Sequence, residues 1–379
     1  MSSLPHDDLG DAWRAARVRP AGVHLDHAAC SRQSTEVLDA VARHARHEAE
    51  LGGYVAEQAA EGLLQQGRSV LAGLVGMAAA DVAFTESATT AVQTLFSRWR
   101  LPAGSRIGVL PGEYFLNEAA IRAAGFVPTT LPADPMGRAD VAGIERMLRE
   151  DPPAVVHLTV VASHRGLVQP AAEVSALCRA AGVPLVLDVA QALGQVDCDV
   201  AADAAYGTSR KWLAGPRGVG FLVLRPTLSA QLAPVVGPEL FDAAGDTRHT
   251  YWYESHEAHV AGRVGLVVAV GEHLAAGPQR VRARLAALGR ATRERLDGRG
   301  GWQVAEPLDE PTAITTLRAP DGVDVREVVA RLRTEHGLLT TAAGRERAPR
   351  ELAGPVLRVS PHLDSTVEQL DLLATALAH

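Results

Sequence analysis

The sequence predicts an α/β protein: a large domain on a mainly parallel sheet flanked by helices, followed by a smaller C-terminal α+β domain. Up to about residue 235, short apolar, β-rich runs alternate with longer Ala/Leu/Glu/Arg stretches, the pattern of strand–helix–strand units. The strand candidates are apolar along their whole length, which suits a sheet covered on both faces. After about residue 250 the alternation gives way to long helical segments and then to mixed strands and helices.

In chain order, VAFT at 82–85, RIGVL at 106–110, FVPTTL at 126–131 and AVVHLTVV at 154–161 read as strands. VPLVLDV at 183–189, AAYGTS at 204–209 and GVGFLVLR at 218–225 continue the series, with helical ATTAVQTLFSRWR and AAEVSALCRAAG among the connections. Helices are expected at 258–275 and 278–297, then strand-like ITTLRA, a helix at 324–335, the strand VLRVS and a last helix at 366–378. The Gly, Pro and Asp of GPELFDAAGDT suit a linker near 235–255. The expected organisation is an N-terminal segment 1–22, a large domain 23–250 and a small domain 251–379.

A chain of 379 residues has room for a large core and favours two domains. Its 47% hydrophobic and 21% charged content is that of an ordinary globular protein. A net charge of −7 gives no support for nucleic-acid binding, which leaves a basic stripe. The first 30 residues lack an apolar signal core, and no apolar run approaches the roughly 18 residues of a membrane span. Neither nucleic acid nor membrane is therefore an expected partner, and the cytoplasm is the expected compartment. Cys30, Cys178 and Cys198 are too few and too scattered for a disulfide framework.

Of the 37 lysines and arginines only one, Lys211, is a lysine. Arginine replaces lysine at most solvated positions, but not where an amine must lose its proton and attack a carbonyl. Asp188 closes the apolar run PLVLD, and ligands bind at strand C-termini in open α/β sheets. Gln191 follows three residues later, and Lys211 comes 23 residues after Asp188, ahead of the turn GPRGVG. Carboxylate, amide and lysine are what pyridoxal 5'-phosphate (PLP) requires: an acid for the ring nitrogen, a donor for the ring oxygen and an amine for the Schiff base. In FTESATTAVQTL a strand runs into a helix, so Ser87, Ala88, Thr89 and Thr90 lie at an N-terminus that favours an anion. An ordinary N-cap explains that stretch equally well by itself. His44/His47 and His256/His259 have helical i, i+3 spacing, but without a third ligand they read as solvated helix faces, and no metal is expected. The GPRGVG turn follows no GxGxxG order and reads as backbone geometry.

LDHAACS (25–31), FTESATTAV (84–92), GEYFLN (112–117), LVLDVAQALG (185–194), TSRKWLAGPRGVGFL (208–222) and LRVSPHLDS (357–365) together resemble the class V aminotransferase family of PLP enzymes. That family includes cysteine desulfurases, isopenicillin-epimerase-like proteins and C–S lyases. The resemblance implies a fold-type I homodimer with active sites at the subunit interface. It implies that Asp188 holds the pyridine nitrogen, Gln191 the ring oxygen and Lys211 the Schiff base, with Ala88 and Thr89 at the phosphate. Thr208 and Arg210 stand where the family usually has a Ser and a His. Tyr114 takes the place of the ring-stacking aromatic, and Ser163 that of an Asn near the cofactor. Arg358 matches the arginine that clamps the substrate α-carboxylate.

Two departures narrow the activity. Desulfurases carry a nucleophilic Cys shortly before the LRVS strand, and here LLTTAAGRERAPRELAGP has none. Simple β-elimination, which needs no second nucleophile, is then the expected reaction. Where relatives have Glu-x-Gly-Thr, whose Thr reaches the partner's phosphate, this chain has Glu254-Ser255-His256-Glu257. The adjacent Tyr251, Trp252 and Tyr253 are read either as dimer packing or as a cage for a cationic, imidazole-bearing substrate. The expectation is a PLP-dependent C–S lyase acting on an S-substituted cysteine sulfoxide, within the family resembling the subgroup whose substrate carries a trimethylammonium-imidazole. A desulfurase-like or epimerase-like enzyme is the alternative, and a non-catalytic PLP-fold scaffold a third reading.

Overall fold

A computed structural model of the protein describes residues 8–233, 248–255 and 257–378. The expected linker segment at 237–247 and His256 lie outside the described residues.

Seven strands form the main sheet: β2 (Val82–Thr85), β3 (Arg106–Val109), β4 (Val127–Thr130), β5 (Val155–Thr159), β6 (Leu185–Asp188), β7 (Ala204–Thr208) and β8 (Gly220–Leu224). Their spatial order is β2-β8-β7-β6-β5-β3-β4. The five strands β3 to β7 run parallel, and β8 lies antiparallel to both of its neighbours. The strands expected from apolar runs occur within two residues of their expected limits.

Alternate residues of each strand enter different cores, as a period of two dictates. Leu185 and Leu187 of β6 join Phe221 and Val223 of β8 on one face. Val186, Leu222 and Leu224 join Phe96, Trp99 and Tyr206 on the other. Helix α4 (Ala88–Arg98) supplies part of that second layer through Ala91, Val92, Leu95 and Phe96. The first face is covered by α2 (Thr35–Leu51), α3 (Gly53–Gly73) and α9 (Val260–Ala276), the last of which buries most of its length.

A separate antiparallel sheet of order β12-β13-β10-β9 is built from Thr341–Ala343, Val356–Val359, Thr315–Arg318 and Gln303–Val304. It packs Leu317, Leu357 and Val359 against Leu332 of α11 (Val325–His336) and Leu370 and Leu373 of α12 (Val367–Leu377). β1 (Val23–His24) pairs with β11 (Leu338–Leu339), tying the N-terminal part of the chain to this layer. Among the described residues no single helix is long and apolar enough to cross a membrane.

Imidazoles are buried in these layers without a counter-charge strong enough to keep them protonated. His362 stacks between Trp13 and Trp212 at centroid distances of 5.3 and 5.6 Å, and burial pushes it down to about 4. His273, inside α9, is likewise pushed down to about 4 by burial, and His27 is held well below its usual value. These side chains fold neutral and take up protons only on unfolding, near pH 6.5. Their contribution is therefore complete above about pH 6.5 and is lost as the pH falls toward 4. The expected outcome is a thermal midpoint that drops between about pH 6.5 and pH 5, with a shallower slope in His362→Gln. Equal slopes in the two proteins would show that His362 does not carry this linkage.

Candidate functional site

Parallel β5, β6 and β7 place their carboxyl ends on one edge of the sheet, and Thr159, Asp188 and Tyr206 sit in register there. This crevice is where an open α/β sheet binds ligands. It holds a cavity of about 280 Å³. Lys211, Asp188 and Gln191 line it together with Thr208, Arg210, Tyr114, Ser163, Ala88 and Thr89. The structure thus brings these nine sequence-derived positions to one place.

Lys211 follows β7 on a tight turn, and its half-buried side chain lines the cavity. Burial lowers its amine to about 7; Asp188 opposes that shift, while Arg210, Arg358 and Arg347 reinforce it. The turn is held from behind by Trp212, which is 1% exposed. Gly194, at φ +99°, lies against the Trp212 backbone, where an added Cβ would come within 3.1 Å.

The Trp212 indole N–H donates to Gln191 Oε1 at 2.9 Å. Indole nitrogen is a donor only, so this bond fixes which end of the Gln191 amide is oxygen. Gln191 Nε2 gives one hydrogen to Ala28 O at 2.9 Å and keeps a second at the cavity. Asp188 is buried, with Oδ1 accepting from the Ala190 N–H at 2.8 Å and Oδ2 from Asn117 Nδ2 at 2.9 Å.

At the other end of the cavity Ser87 caps α4, accepting from the Thr90 N–H at 3.0 Å. The N–H groups of Ala88 and Thr89, in the first turn, have no intrahelical acceptor. Gly220 of β8 permits the close approach of this cap: a Cβ there would lie 2.6 Å from the Ser87 backbone. The buried Ser163 hydroxyl, also on the cavity, has no hydrogen-bond partner among the described residues.

Among the polar residues on the cavity, Asn117, Thr159 and Arg347 were absent from the expectation. Asn117 lies within the GEYFLN motif, but its reach to Asp188 needs the fold. Arg347 lines the cavity from the segment that carries no cysteine. Arg358 does not line the cavity. It is fully buried, giving Nη2 to Asp26 Oδ1 at 3.0 Å and Nη1 to Ser163 O at 2.5 Å, with its Nε unpartnered.

Tyr251, Trp252 and Tyr253 are not brought to the cavity of their own chain either. They form a single 3-10 turn beside β2, with Tyr251 and Trp252 edge to face at 4.9 Å and Tyr253 packed on the second core. The preceding Thr250 pins the turn by donating to Ala80 O or Val82 O, at 2.9 and 3.0 Å. Glu254, which follows, is a buried anchor. Arg68 grips its carboxylate with Nη2 at 2.9 and 3.0 Å, while Arg248 and Arg263 approach at 3.1 and 3.3 Å. Glu257 is exposed. His44 pairs with Glu48 on its own helix at 3.3 Å.

The donor set suits PLP. A buried carboxylate, a spare amide hydrogen, an amine with lowered basicity and free helix N–H groups lie around one cavity of suitable size. A class-V aminotransferase model matches residues 23–373. The chain is 51% identical over 373 residues to a protein of Mycobacterium tuberculosis named as a probable hercynylcysteine sulfoxide lyase, covering 98% of this chain and 93% of that one. It is 31% identical to the isopenicillin N epimerase of Amycolatopsis lactamdurans over 97% and 98% of the two chains. Among solved structures, a cysteine desulfurase of Thermococcus onnurineus superposes with a TM-score of 0.85 at 18% identity, over 100% of this chain and 98% of that one. The lyase C-DES, with glycine linked to its PLP, superposes at 0.82 and 18% identity over 94% and 96%. The chain belongs to the class V aminotransferase family and is a PLP-dependent enzyme of the fold-type I architecture.

Removing the carboxylate that Arg68, Arg248 and Arg263 share leaves buried guanidinium groups unpaired. Glu254→Ala should cost about 3–5 kcal/mol in denaturant unfolding, whereas Glu61→Ala, at an exposed partner of Arg68, should cost under about 1 kcal/mol. Similar small losses in both would mean that Glu254 does not anchor this segment.

Proposed function

We propose that the protein is a carbon–sulfur lyase that cleaves hercynylcysteine S-oxide by β-elimination, in ergothioneine biosynthesis. Elimination releases a sulfenate and free aminoacrylate, which one water hydrolyses to pyruvate and ammonia. The observation that carries this reading is a cavity with a weakly basic lysine and no cysteine on its wall. Cys178 is buried, its thiol pushed up to about 12 by burial, and the buried Cys198 thiol is also raised. Neither is a thiolate at neutral pH, so neither is suited to a persulfide relay. The identity to the mycobacterial protein, over nearly the whole chain, supports the substrate.

Lys211 Nζ would hold PLP covalently, Asp188 would face its ring nitrogen and Gln191 its ring oxygen. Tyr114 would stack on the ring, with Ser163 beside it. Ala88 and Thr89 would offer backbone N–H groups to the phosphate, with Thr208 and Arg210 nearby. When bound, PLP supplies an electron sink for the bond cleaved next to the substrate nitrogen. Lys211, with an acid constant near neutrality, divides between its two protonation states at physiological pH. That suits it to take the α-proton at Nζ and release it to the departing group or to solvent. Arg358 is assigned to the substrate α-carboxylate, although Asp26 and the Ser163 carbonyl already hold two of its nitrogens. Arg347, on the cavity wall, is the cation placed to meet a second acidic group or the oxygen of the departing sulfenate.

The protein is further proposed to be a cytoplasmic homodimer. The 251–255 turn, which does not line its own cavity, suits a role at the partner's surface. Sedimentation that gives a monomer would remove this role, and undiminished turnover in Trp252→Ala would remove the cage for the trimethylammonium-imidazole group.

Two measurements test the activity. Pyruvate should appear on incubation with hercynylcysteine S-oxide, and its absence with every S-substituted cysteine sulfoxide tried would sink the lyase assignment. Persulfide release from free cysteine, lost in Cys30→Ser, would favour a desulfurase instead. Because the chain has no second lysine, Lys211→Ala should abolish borohydride-fixed cofactor apart from any adduct of the N-terminal amine. Labelling that persists on any internal residue would exclude Lys211 as the attachment point.

A further inference from the structure

Beside Asp188 a polar network runs from the cavity wall, where Asn117 and Thr159 sit, into the second apolar core around Tyr206. His157 of β5 is fully buried between two partners. Its Nδ1 lies 2.9 Å from Glu113 Oε2, and its Nε2 lies 2.8 Å from the Tyr206 hydroxyl. Glu113, also fully buried, accepts at Oε1 from Thr159 Oγ1 at 2.7 Å and from Asn117 Nδ2 at 2.8 Å. Both arms end on one carboxylate. Asn117 gives its other amide hydrogen to Asp188 Oδ2 at 2.9 Å, and Tyr206 is paired with Asp188 across the sheet, where burial and that carboxylate raise its hydroxyl well above the usual value.

We propose that His157 is a positioning residue: through Tyr206 on one side and Glu113 with Asn117 on the other, it fixes the aim of Asp188 and the donors that face it, and so sets how firmly the cofactor's ring nitrogen is held. The proton count supports this. Tyr206 has one hydroxyl hydrogen and two neighbours able to accept it. When His157 carries hydrogens on both ring nitrogens, Nε2–H donates to Tyr206, whose hydrogen is then free for Asp188. When Nε2 is bare, Tyr206 turns to His157 and Asp188 loses a donor. Burial alone would strip His157 of its charge, but Glu113 outweighs it and raises the imidazole above its usual value. Burial would likewise protonate Glu113, yet His157 and the hydrogen bonds from Thr159 and Asn117 hold it below the usual carboxylate range. A structural ion pair would need only the His157–Glu113 contact; Tyr206 and Asn117 extend it to the one carboxylate on the cavity.

This inference rests on the placement of PLP in the Lys211 cavity. The test is titration of the apoprotein with PLP, read by absorbance, followed by a pH titration of the bound chromophore's visible band. Tyr206→Phe removes a single hydroxyl and should weaken PLP binding about tenfold and move the pH at which the band titrates. His157→Phe should act in the same direction, and His157→Gln, which keeps an N–H, should recover part of the loss. Wild-type affinity together with a wild-type band titration in Tyr206→Phe would overturn the relay. If the unaltered apoprotein takes up no PLP, the cavity placement itself is wrong and the relay falls with it.

Discussion

A carboxylate buried at the end of a parallel strand must be compensated, and much of the architecture around the cavity serves to compensate Asp188. Unpaired, such a group would take up a proton or unfold its surroundings. The parallel register of β5, β6 and β7 puts Thr159 and Tyr206 on either side of it in the sheet. Asn117 comes from the helix that follows β3, and the Ala190 N–H closes the remaining side. The position of the carboxylate is therefore set by backbone pairing rather than by a mobile loop.

The opposite wall has the reverse charge. Arg210 and Arg347 line the cavity and Arg358 lies just behind it, so Lys211 sits among cations with one anion facing it. A ligand with a phosphate and a carboxylate restores the balance, and the N-terminus of α4 adds uncharged donors at the phosphate end. The field that draws in an anionic cofactor adds to burial in lowering the basicity of the amine meant to react with it.

Most of the fold was legible because its signals are local. Apolar runs gave the strands within two residues, and the period-two alternation inside them decided which residues meet on which face. Asp188, Gln191 and Lys211 were legible because each brings a distinct chemistry to one cofactor. The Asp188 relay was not, since Glu113, Asn117, His157 and Tyr206 come from four elements whose proximity depends on sheet order. One local signal was present: His157 interrupts the apolar run AVVHLTVV at a position whose neighbours in alternation, Val155 and Thr159, share the face of Asp188. Arg358 shows the opposite limit. The motif suggests a carboxylate clamp, and what only the fold shows is that Asp26 and the Ser163 carbonyl hold two of its nitrogens while Arg347 lines the cavity. The aromatic run 251–253 suggested a cage from composition alone, and composition does not say which cavity a side chain faces.

The use of arginine elsewhere in the chain has a physical consequence at the site. A lysine beside Lys211 could itself lose a proton near neutrality and would compete for the cofactor's aldehyde. Guanidinium groups do neither, staying charged at any working pH. Arg210, Arg347 and Arg358 can therefore depress Lys211 without offering a second nucleophile or a second titration. Whatever biased the composition toward arginine, the result is that one amine reacts, one carboxylate faces it, and the cations between them are chemically silent. With no cysteine on the cavity wall, the departing sulfur meets no protein nucleophile there, which is the condition that elimination requires and sulfur transfer does not meet.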